Sequence, residues 1–238
     1  MKNNYNTYSS PTSDIDAIVA ETKSYSTELT PEQAKAMKQL DSEAKKCDNA
    51  DLQDISDITG VIAGVKPASI VRKSAAIENF IADSGYAYED VDRELVTFSR
   101  SPKAAHILSE LFHEFWRGPA DFVQNSYDIG QLLGYPKTAT DYYLHRLASD
   151  NYRTVPMIYS EEAMMVGHTP GLVLSPDHWR EEMAEYEMPI REAFAELAPK
   201  SFARRLEQEK KTAKRYRKLG SAALTLFNDE SVAVKLVK

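Results

Sequence analysis

The stretch from Ser101 to Leu147 constrains this chain more than any other, because it carries its own start and stop signals. Ser101-Pro102 is a cap with a residue suited to the first helical position, and Gly118-Pro119 ends the helix it opens. A second helix over about residues 120–133 stops at Gly134, a residue free to take the left-handed cap conformation. Pro136 then opens a third helix that reaches about Ser149. Three consecutive helices with short connections imply helices packed on their neighbours, and a mainly α protein.

The same grammar recurs along the 238 residues. Thr30-Pro31-Glu32-Gln33 starts a helix running to about Cys47. Ile55, Ile58, Ile62 and Val65 recur at helical spacing, and Gly60 and Gly64 lie four apart on that element. Lys66-Pro67 breaks it, and a further helix is expected up to Ala82, with Ile70, Ile77, Phe80 and Ile81 on its apolar side. Leu95-Val-Thr-Phe-Ser reads equally as a short strand or a helix end. Residues 152–159 and Gly171–Leu174 read as extended. After Ser175-Pro176-Asp177, the residues Trp179, Met183, Tyr186, Ile190, Phe194 and Leu197 form an apolar helical stripe that Pro189 should kink. A basic helix comes next at 201–219, stopped by Gly220. Two β-prone runs around Asn228-Asp-Glu-Ser predict a hairpin at 222–237.

The expected architecture is therefore a mainly α, multi-helix globular domain over residues 28–238, with a small β element near the C-terminus. A flexible tail is expected over 1–27, with a short helix near Ile15–Thr22. Hydrophobic residues make up 42%, which is enough for a sizeable core. Cys47 is the single cysteine, so neither an intrachain disulfide nor a cysteine-rich metal site can form. No apolar run is long enough to cross a bilayer, and a cytoplasmic protein without a membrane partner is expected.

Charge is unevenly placed. Residues 1–200 carry 32 acids and 19 bases, a net of −13, whereas residues 201–238 carry 4 acids and 10 bases, a net of +6. The basic helix holds Lys210, Lys211, Lys214 and Arg215, candidates for contact with nucleic acid or an acidic partner. It could equally be solvated or fold back on the acidic segment at 177–196. Tyr216 is the one aromatic among these bases, too few for a base-stacking platform.

Two further groups could carry chemistry. His106, Glu110 and His113 fall in a narrow arc of one helix and could ligate a metal, with Glu114 alongside His113. Leu108, Leu111, Phe112 and Phe115 occupy the opposite arc, so the histidines should face solvent, beside Arg117. Neither a stoichiometric metal nor another cofactor is expected. Asp141 and His145, four apart, could form an acid–base pair or an ordinary surface pair. Residues 122–147 also have helix–turn–helix spacing, with Thr138, Asp141 and His145 outward. Asp141 would face phosphates unfavourably, and a reading helix would carry Arg, Lys, Asn or Gln there.

The Leu132-Leu-Gly-Tyr-Pro136 segment resembles a short segment of uncharacterised archaeal proteins in which a cysteine pair comes after the proline. Lys137-Thr138-Ala139 stands in that place here, and the resemblance implies no activity. The leading expectation is a helical binding or interaction protein, acting on a protein partner or on itself. The alternatives are an enzyme with a His/carboxylate site and a helix–turn–helix DNA-binding protein.

Overall fold

A computed structural model describes residues 13–43, 46–117, 122–148, 174–175 and 177–219. The described chain is mainly helical. It comprises α1 (Ser13–Ser24), α2 (Pro31–Ser42), α3 (Asn49–Ile62), β1 (Ala68–Arg72), α4 (Ala75–Ser84), β2 (Ala87–Asp90) and β3 (Leu95–Ser99). The order continues with α5 (Pro102–Arg117), α6 (Phe122–Leu132), α7 (Lys137–Ala148) and α8 (Trp179–Glu182). A π-helical turn (Met183–Glu187) then leads into α9 (Met188–Leu197) and α10 (Pro199–Leu219).

Helix starts obey the caps. Thr30 and Gln33 exchange side-chain and backbone bonds across the first turn of α2, and Asp48 and Asp51 do the same for α3. Ser74 caps α4, and Gly85 ends it with φ +69°.

The β element lies in the first half of the chain rather than near the C-terminus. It is an antiparallel sheet of order β1-β3-β2, with Ile70 opposite Thr97 and Tyr88 opposite Phe98. The helix expected directly after Pro67 is replaced by β1, so Ile70 lies on a strand, and α4 begins only after Ser74. Sheet pairing overrides the helical spacing here, since the β-branched Ile70-Val71 gains a partner in β3. Val71, Val96 and Phe98 enter a core with Met37, Leu40, Leu52, Ile55, Ile58 and Phe194. Ala68 and Ile70 point the other way, toward Ala104, Leu108, Ile15 and Ile18. β1 and β3 are thus covered on both faces, whereas the edge strand β2, Ala-Tyr-Glu-Asp, leaves Tyr88 and Asp90 exposed. The expected hairpin at 222–237 and the extended segment at 152–159 lie outside the described residues.

α1 occupies much of the stretch expected to be a tail. Ile15 and Ile18 are buried, and the Arg100 guanidinium donates to the carbonyls of Thr22, Tyr25 and Ser26 at its C-terminal end.

Two helix stops form the joint on which the later elements rest. At the end of α3, Val65 N donates to Gly60 O and Gly64 N to Val61 O, with Gly64 at φ +78°. At the end of α6, Tyr135 N donates to Gly130 O and Gly134 N to Gln131 O, with Gly134 at φ +77°. Both are Schellman turns. They pack on each other: a Cβ at Gly134 would lie 2.9 Å from Val65 O and 3.2 Å from Lys66 Cα.

Gly134→Ala should therefore cost more than a left-handed residue alone, about 2–4 kcal/mol from backbone strain plus overpacking. Gly85→Ala is the control, since its Cβ would meet nothing within 4 Å and should cost only about 1 kcal/mol. Urea unfolding of the two variants reads the difference. Equal costs would show that the turn-on-turn contact contributes nothing.

Candidate functional site

The residues singled out in the sequence are spread over separate surfaces. His106, Glu110 and His113 are exposed on α5, as their arc requires. His106 Nδ1 lies 2.9 Å and 3.1 Å from the two carboxylate oxygens of Glu89 on β2, and its Nε2 lies 3.6 Å from Glu110. Glu114 accepts a bond from Asn125 Nδ2. Among the described residues no group of three or more His, Cys, Asp or Glu is arranged to hold a metal ion. Asp141 is bound by Lys137 Nζ at 2.9 Å, and the same ammonium donates to Tyr127 Oη at 3.3 Å. His145 is half-buried on α7. Lys210 and Lys211 are exposed on α10, and the helical backbone continues through Lys214 and Arg215.

The most concentrated chemistry lies elsewhere, beneath the two glycine turns. Lys66, in the α3–β1 turn, is only 3% exposed. Its stem runs across Gly60, where a Cβ would stand 3.1 Å from both Lys66 Cδ and Ile190 Cγ1. Its ammonium donates to Asp57 Oδ1 at 2.6 Å and to Ser69 Oγ at 3.1 Å, and sits 5.9 Å from the Tyr186 ring centre. Tyr186 meets Tyr135 edge to face at 5.3 Å. Burial raises both phenols well above the ordinary range, with Asp57 and Glu187 adding in the same direction. Nearby, Arg72 Nε holds Asp54 at 2.8 Å, yet burial still pushes that carboxyl up to about 6.

Glu187 completes the cluster. It is 3% exposed and is the last residue of the π-helical turn, in which Met188 N reaches back to Met183 O. Pro189 has no N–H to close the next α-helical bond, and the wide turn stands in the place where a kink was expected. Burial pushes the Glu187 carboxyl up to about 7, against the pull of Arg191, while Asp57 adds to the rise. One turn on, Arg191 forms a two-pronged pair with Glu209 of α10 at 3.0 and 3.1 Å. Arg205 of α10 also reaches Glu209, at 3.1 Å, and Gln53 of α3 at 3.2 Å.

Lys66, Asp57, Glu187, Arg191 and Glu209 were not among the sequence candidates. One signal was available: Glu187 falls four after Met183 and three before Ile190, so a carboxylate stands on the apolar stripe itself. Lys66 gave no such signal, because a turn residue has no period. No family model matches this chain, and comparison with curated proteins and solved structures gives no match either.

Lys66→Met leaves Asp57 without its cation and should cost about 3 kcal/mol, most of it recovered when Asp57→Leu is added. A double variant no more stable than Lys66→Met in urea would contradict this.

For Glu187, the unfolded chain releases the proton near the ordinary 4.5 and the folded chain near 7. Its stabilising share is therefore complete below about 4.5 and lost as pH rises through about 7, a fall of roughly 3 kcal/mol. Unfolding free energies measured between about pH 4 and about pH 8 should fall by roughly 3 kcal/mol less in Glu187→Gln than in the wild type, the part of the fall that belongs to Asp54 remaining in both.

Proposed function

We propose that this chain is a helical interaction protein whose α10 presents a basic arm to an acidic protein partner. The observation that carries this reading is the division of α10 at Glu209. Up to that residue the helix is bound to the body through Arg191–Glu209, Arg205–Glu209 and Arg205–Gln53. Beyond it the helix runs on to Leu219, with six bases and no acid from Lys210 to Lys218. Such a segment attracts polyanionic surfaces from a distance and binds them in a salt-dependent way. The acidic body of a second copy is one partner of suitable charge.

The other readings have less support. A DNA-reading helix needs free donors on its outward face, whereas Lys137 of α7 is committed to Asp141 and Tyr127. The catalytic candidates His113, Glu114, Asp141 and His145 are drawn from separate surfaces, and Glu114 and Asp141 are already held by Asn125 and Lys137. Self-association is a version of the favoured reading, read directly by sedimentation.

The test is fluorescence anisotropy with a labelled oligoglutamate peptide and with a random-sequence DNA duplex. Oligoglutamate should bind at low salt, and replacing Lys210, Lys211, Lys214 and Arg215 by Gln should weaken it by about tenfold or more. Duplex binding should be weak and non-selective. Oligoglutamate binding that survives the fourfold replacement would sink the reading. Submicromolar, sequence-selective duplex binding near physiological salt would instead place the protein among DNA-binding regulators.

A further inference from the structure

The Glu187 carboxyl lies where three elements meet. Arg191 lies one turn along its own helix, and the charges of Asp57 on α3, Lys66 in the α3–β1 turn and Arg205 on α10 all act on it. The Tyr135 and Tyr186 rings lie within reach of its charge. Among the described residues no hydrogen bond ends on this carboxyl, although it is 3% exposed. The surrounding cations are already engaged. Lys66 is bound to Asp57, Arg191 to Glu209, and Arg205 to Glu209 and Gln53.

We propose that Glu187 is a proton-operated latch on α10, docking the helix when protonated and loosening it when ionised. With the proton on, the carboxyl makes no claim on a cation, and the Arg191 fork is given wholly to Glu209. With the proton off, a buried carboxylate must find a partner, and Arg191 is one turn away on the same helix face. Drawing Arg191 toward Glu187 takes it from Glu209, and the contact that fastens α10 to α9 weakens. Arg205 alone then holds Glu209, by a single bond at 3.1 Å. Burial sets the changeover close to neutrality, at about 7. The π-helical turn adds to the geometry, because its wide spacing brings Tyr186 and Glu187 inward together. The consequence for binding rests on the reading of the basic arm given above: the docked half of α10 sets the direction in which residues 210–218 leave the body.

Hydrogen exchange of the full chain, measured by mass spectrometry and corrected for intrinsic rates, tests the latch. Peptides covering residues 199–211 should lose about tenfold or more of their protection between about pH 6 and about pH 8.5, while β3 and α5 stay protected. Glu187→Gln should keep the low-pH protection at both values. Glu209→Gln, which removes the clamp itself, should be loose at both.

Equal pH dependence in the wild type and in Glu187→Gln overturns the proposal, as does a wild type whose α10 is indifferent to pH. Carbon-13 titration of the wild-type glutamates provides a reading free of substitutions. The midpoint of the α10 amide shifts must coincide with that of the buried carboxyl, and a clear separation overturns the latch. Oligoglutamate affinity measured over the same pH range separates the two ideas. Protection that tracks Glu187 with unchanged affinity leaves the latch standing and defeats the basic-arm reading.

Discussion

The contact between two helix ends is the constraint on which the later elements depend. Gly134 has no side chain, so the stop of α6 can sit directly on the backbone of Val65 and Lys66 and on the Pro67 ring at the stop of α3. That approach brings Tyr135 against Tyr186, and the Tyr186 ring lies over the Lys66 ammonium. Gly60 has the matching role near the end of α3, leaving room for the Lys66 stem and for Ile190. The helix that carries Glu187 is thus seated by two missing side chains. The charges among these elements are placed by sterics first and by electrostatics second.

Much of this fold was legible from punctuation. The starts of α2 and α5 and the stop of α6 fall where cap, proline and glycine place them, because those residues act on the backbone locally. The illegible features depend on partners far away in the sequence. Ile70 fits a helical period and a strand equally well, and only pairing with β3 decides between them. The candidate site was harder still. His106 and His113 attract notice by residue type, yet they stand on a solvated face. Lys66 and Asp57 are nine residues apart and lie in an ordinary turn and helix. Arg191 and Glu209 belong to different helices whose packing no local rule fixes. Glu187 alone left a trace, as a carboxylate on an apolar stripe.

The charge asymmetry along the chain resolves in an unexpected direction. By charge alone, acidic residues of the 177–196 segment are the natural counterpart of a basic helix. In the folded chain the polarity at the joint is reversed: Arg191 comes from the acidic segment and Glu209 from the basic one. Each helix thus contributes one residue of its minority charge to the buried pair, with Arg205 of α10 as a second base on Glu209. Burying two arginines on one shared carboxylate takes fewer charges out of water than burying two facing rows would. It also leaves Lys210 and Lys211, the first bases beyond Glu209, exposed.

The π-helical turn sets a length. A helix that passes from α8 through Met183–Glu187 into α9 contains one residue more than regular α geometry needs for the same rise. Taking one residue out of that turn would leave ordinary hydrogen bonding on both sides, but would rotate α8 by about 100° against α9. Ser175 and Glu182, joined at 2.7 Å, would be carried round with α8, and Leu174 would be turned away from its place in the cluster with Tyr186 and Ile190. The surplus residue therefore works as a phase setting between the segment that enters this helix and the charged joint it serves. Five residues of sequence fix the rotational register of both.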